Sequence, residues 1–115
     1  MALIKEVNTE YGVKANYWRV DNIAIDKAKK EANFVLCLYL NKEAKNFFEY
    51  KVIITFDRDN KEEIFNKYFG EESGYRDIYH ACYECSKEIE PFFADAEDDE
   101  EEKLYKESLK KKLKR

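Results

Sequence analysis

The chain has 115 residues, 44% of them hydrophobic and 16% aromatic, which is apolar material for one core but not for two. Charged residues make up 40%, with 21 basic against 25 acidic and a formal net charge of −4, the wrong sign for a protein that coats nucleic acid through phosphate contacts. One Pro and three Gly exclude collagen-like and linker-like designs, and three cysteines, an odd number, argue against a disulfide scaffold and fit a reducing compartment.

In chain order, Leu3 to Val7 predicts a short edge strand before a turn at Asn8 to Gly12. Val13 to Ile25 is rich in β-branched and aromatic residues and reads as a long strand. Its alternation changes phase: Val13, Ala15 and Tyr17 share one parity, Trp18 and Val20 the other, and Ile23 and Ile25 the first again. One regular strand cannot switch faces, so a bulge or bend is expected between Arg19 and Asn22. A polar turn at Asp26 to Glu31 precedes Asn33 to Leu40, apolar at both parities and therefore a central strand covered on both sides. After a turn at Asn41 to Asn46, Phe47 to Phe56 alternates, with Phe48, Tyr50, Val52, Ile54 and Phe56 on one face and Glu49, Lys51 and Thr55 opposite.

The period then becomes helical. Asn60 is placed to cap a helix over Lys61 to Phe69, with Glu62 and Glu63 in its first turn and Gly70 as its stop. A second helix is expected from Ser73 or Gly74 to Ile89, where Tyr75, Ile78, Tyr79, Cys82, Cys85 and Ile89 form one stripe, and Pro91 ends it. The expected fold is α+β: an antiparallel meander of three or four strands with one or two helices on one face, residues 1–94 forming the domain.

Residues 95–115 differ in kind. Asp95 to Glu102 holds seven acids, and Lys103 to Arg115 seven bases and one acid, the order that a helix dipole favours. Glu102 and Lys106 stand at the i, i+4 spacing of a pair on one helix, and Leu104, Tyr105, Leu109 and Leu113 make a thin apolar stripe. Two readings stand: a helix docked on its own domain or on another copy, or a solvated, frayed terminus. The basic run Lys110 to Arg115 sits beside the acids and reads as self-neutralising rather than as a nucleic-acid or membrane tag.

His80, Cys82 and Cys85 are the one soft-ligand cluster. On a helix His80 points away from the two thiols, and both thiols fall on the core stripe, so core packing accounts for them. The Cys82 to Cys85 spacing is that of a redox pair but lies mid-helix, away from the N-terminus that activates such thiols. His80, the one histidine, has no nucleophile or orienting partner at motif spacing and reads as a surface residue. Asp57 to Asn60 opens like a calcium loop, but Glu62 and Tyr68 stand where that loop needs Gly and Glu. No catalytic residue, metal or cofactor is therefore expected. Tyr11, Tyr17, Trp18 and Arg19, with Leu104, Tyr105 and Leu109 of the tail, are the candidate protein-interface residues, being of types enriched at hot spots or exposed on a helix stripe.

The opening segment resembles a group of small proteins from phages and prophages of low-GC Gram-positive bacteria. Met1 to Leu3, Lys5, Gly12, Val13, Asn16 to Val20 and Ile23 stand where that group carries its start, its turn and its Asn-Tyr-(Trp/His)-Arg-(Val/Ile) segment, and Tyr79 to Asp98 resembles its aromatic helix and acidic run. The extension after Asp99 departs from the group. The resemblance implies a gene in the tail or baseplate region and a non-enzymatic structural or accessory role, with the protein itself or tail components as partners and the host cytoplasm or a virion as location. Neither nucleic acid nor membrane is expected as a partner, since no stretch approaches the length of a membrane span. An alternative is a small acidic inhibitor in which Asp95 to Glu102 imitates a phosphate backbone.

Overall fold

Alternating apolar residues joined by short polar turns build the sheet. A computed structural model describes residues 1–71 and 73–113, without the side chains of residues 112 and 113; Lys114 and Arg115 of the basic run lie outside the described residues. The strands are β1 (Leu3–Asn8), β2 (Lys14–Asp26), β3 (Glu31–Tyr39), β4 (Phe47–Ile54) and β5 (Glu97–Asp98), in spatial order β4-β3-β2-β1-β5, with every pairing antiparallel. The helices are α1 (Lys61–Tyr68), α2 (Ile78–Ile89) and α3 (Glu100–Leu113), with a 3-10 turn at Pro91–Phe93. The fold is α+β.

The expected bulge is present. Val20 faces Leu36 and Asn22 faces Val35, which leaves Asp21 as the extra residue. Val20 and Ile23 therefore point to the same side, although their parity differs. That side is the core: Leu3, Trp18, Val20, Phe34, Leu36, Leu38 and Ile53 of the sheet pack on Ile64 and Tyr68 of α1 and on Cys82, Tyr83, Cys85 and Ile89 of α2. Trp18 is wholly buried, with Phe92 and Phe93 edge-on at 5.5 and 5.1 Å. At about 25 cal/mol per Å2, such aromatic burial is the largest favourable contribution in a domain this small.

Four local expectations are corrected. β1 is not an edge, because β5 pairs outside it, Leu3 with Asp98 and Ile4 with Glu97. The apolar set of β4 does not share one face: Ile53 faces Phe34 and Lys51 faces Leu36 on the core side, so Tyr50 and Val52 are turned outward, while Phe48, at the register shift beside Leu38, packs against the core. Alternation says which residues share a face, and only register with β3 says which face is covered. Asn60 stands at the start of α1 without a side-chain cap; its carbonyl accepts the Ile64 N–H. α2 begins at Ile78 rather than near Gly74, whose φ of +81° is left-handed and incompatible with a helix. Asp77 caps it, its Oδ1 accepting the Tyr79 and His80 N–H groups at 2.9 and 3.2 Å, and Tyr75 lies before the helix. Gly70 is required for a different reason: a Cβ there would stand 2.9 Å from the Asn66 carbonyl oxygen.

Candidate functional site

Two places gather chemistry: the seam between α2 and α3, and the sheet face turned away from the helices.

The seam is built from matching helix spacings. His80 and Glu84 lie one turn apart on α2, and Glu102 and Lys106 one turn apart on α3. The helices meet as two rungs. The His80 Nδ1 contacts Glu102 Oε1, and the Lys106 ammonium pairs with Glu84. Glu102 and Lys106 thus reach across to α2 instead of pairing along their own helix. Lys106 also donates to Asp98 at 2.6 Å and Lys87 to Asp98 at 2.8 Å, so β5 joins the network. His80 is buried, not a surface residue, because α3 covers it; Tyr75 and Tyr105 flank its ring at centroid distances of 5.3 and 4.9 Å. Glu102 is wholly buried, and its Oε2 has no hydrogen-bond partner among the described residues. Burial raises the Asp98 carboxyl, but the hydrogen bonds from Lys106 and Lys87 outweigh it and hold it below the usual carboxylate range. Desolvation lowers the Lys106 ammonium, but its hydrogen bonds to Asp98 and Glu84 outweigh this and push it upward.

The acids of residues 95–102 are largely engaged within the chain. Asp95 pairs with Lys5, Glu101 with the Met1 ammonium at 2.7 Å, and Asp99 with the Tyr17 hydroxyl. Asp99 also caps α3, accepting the Glu102 N–H at 2.9 Å. This is half of a capping box: the Glu three residues on turns to His80 instead of back to the cap.

On the opposite sheet face, Arg19 lies over the Tyr39 ring at 3.8 Å and donates to the Ala44 carbonyl, while the Tyr39 hydroxyl donates to the bulged Asp21 at 2.7 Å. Further out on the edge strand β4, Phe47, Tyr50 and Val52 are 51, 61 and 54% exposed.

The candidate interface residues scatter accordingly. Tyr17 and Arg19 share the outer face with Tyr39. Trp18, one residue between them, points into the core with its Nε1–H on the Lys5 carbonyl, and offers nothing to a partner. Tyr11 is exposed and stands 6.2 Å from the Phe48 ring. Leu104 is exposed, whereas Tyr105 and Leu109 are half-buried. Sequence reading missed His80, Glu84 and Glu102 as a group. The available signal was the pair of i, i+4 steps with complementary charge, His80/Glu84 and Glu102/Lys106. The thiols do not join them: burial holds Cys37 and Cys85 up at about 12 and Cys82 higher still.

A cavity of about 470 Å3 lies elsewhere, at Lys27, Lys30, Phe65, Phe69 and Glu71. No helix among the described residues is long and apolar enough to cross a membrane. No family model, curated protein or solved structure matches the chain.

Proposed function

We propose that the chain is a non-enzymatic structural or accessory protein of a phage or prophage tail region and that it works by assembling with a second copy of itself. The N-terminal resemblance supports the first part. The observation that carries the second is β4, an eight-residue edge strand with one flank unpaired and with Phe47, Tyr50 and Val52 exposed beside that flank.

A second copy suits this strand because its charges are self-complementary. Two β4 strands placed antiparallel about Tyr50 set Glu49 opposite Lys51 on both sides of the dyad. Neither Glu49 nor Lys51 has an ion-pair partner among the described residues; Lys51 lies over the Phe92 ring at 4.3 Å. Inward-facing charges on an edge oppose arbitrary pairing, and this register is one that neutralises them. The inhibitor alternative draws no support from the acidic run, whose carboxylates are mostly bound to partners in the chain.

Sedimentation velocity over a concentration series tests the reading. A dimer is expected, weakened by Glu49→Lys alone or Lys51→Glu alone and restored when the two variants are mixed or combined. A monomer at every concentration overturns it.

A further inference from the structure

We infer that His80, Glu84 and Glu102 form a binding site for one divalent transition cation of the zinc class, which clamps α3 to α2. One ligand atom from each of the three residues lies within 4.8 Å of the others. Zinc bonds to imidazole nitrogen and carboxylate oxygen run about 2.0–2.2 Å, so small side-chain shifts bring these atoms onto one ion. The donor set names the metal class: an imidazole selects zinc, nickel, copper or iron over calcium and magnesium, which take oxygen ligands.

Glu102 supplies an independent reason. A wholly buried carboxylate with one oxygen unpartnered is costly, and such an oxygen in a native fold calls for an explanation. Lys106 does not provide one, since it reaches Glu84 and Asp98 and not Glu102. Tyr75 and Tyr105 pack against the imidazole and limit where an ion can approach it.

Two exchanges accompany binding. The direct contact between His80 Nδ1 and Glu102 Oε1 is replaced by bonds from both atoms to the ion. The Lys106 ammonium gives up Glu84 and keeps Asp98, which it already contacts at 2.6 Å. Lys106 is thus the competitor built into the site. A purely structural reading of the two rungs assigns it no such role.

The test is titration of the untagged full chain with Zn2+ by calorimetry, and with Co2+ by visible absorption. One equivalent is expected to bind. Glu84→Gln should weaken binding roughly tenfold or more, and Lys106→Met should strengthen it by a similar factor. Glu84 and Lys106 stand at the solvent rim of the seam, so either variant can lose its rung and keep the core; should Glu84→Gln unfold, Lys106→Met decides. Bound Zn2+ should also slow amide exchange through α3. Absence of stoichiometric Zn2+ in both the wild type and Lys106→Met overturns the site. So does a Co2+ spectrum with sulfur-to-metal charge-transfer bands, which would place the ion on a cysteine.

Discussion

The Tyr17 hydroxyl donates to Asp99 Oδ2 across 2.8 Å, and this one bond joins the outer face of β2 to the first turn of α3. Asp99 is buried and is the cap of that helix, so its two oxygens serve two elements at once.

Tyr17→Phe is therefore expected to cost about 1.5–3 kcal/mol, the range for a hydrogen bond to a buried charged group. Urea unfolding measures the loss. Amide exchange should show it first in α3, because the cap loses its anchor while the core around Trp18 keeps its contacts.

His80 and Glu102 should behave as a coupled pair. Glu102→Ala leaves the imidazole without its partner and is expected to cost about 3–5 kcal/mol. Replacing both, His80→Phe with Glu102→Leu, should cost clearly less than the sum of the single changes. Additive losses in chemical denaturation would show that the two do not interact.

Acid should loosen the seam. Asp98 and Glu101 are held below the usual carboxylate range, Asp98 by Lys106 and Lys87 against its burial, Glu101 by the Met1 ammonium and Lys42. A depressed folded-state pKa contributes stability that is present above the unfolded value, about 4 for these groups, and is lost as pH falls toward the folded one. Stability should thus decline below about pH 4, and Asp98→Asn should lower the neutral plateau while flattening that acid limb. Thermal unfolding from pH 7 to pH 2 reads both.

The three thiols should be silent in the folded protein. Burial pushes Cys37 and Cys85 up to about 12, and Cys82 further. Ellman's reagent at pH 8 is expected to label none of them at native concentrations and all three in denaturant. Rapid native labelling of Cys82 or Cys85 would revive a redox reading of that pair.

What could be read from the residues divides along local and distant information. The bulge at Asp21 was legible because a phase change in alternation has few other causes. The α2 stripe was legible at Cys82, Cys85 and Ile89, but not at its start, where a left-handed Gly74 and the Asp77 cap override periodicity. The outward turn of Tyr50 and Val52 was not legible, since β4 takes its orientation from register with β3. Nor was the His80 site: its members come from two helices that meet only after the sheet has formed, and their spacing along either helix fits an ordinary exposed face equally well.

The pairing of Leu3 with Asp98 has a consequence for synthesis. On the ribosome β1 is made well before β5, and its outer rim stays bare until Glu97 and Asp98 have left the exit tunnel. A product terminated before Glu97 would carry an open strand edge and an uncovered His80, the kind of surface that chaperones and proteases recognise. Quality control of this domain thus turns on β5 and α3.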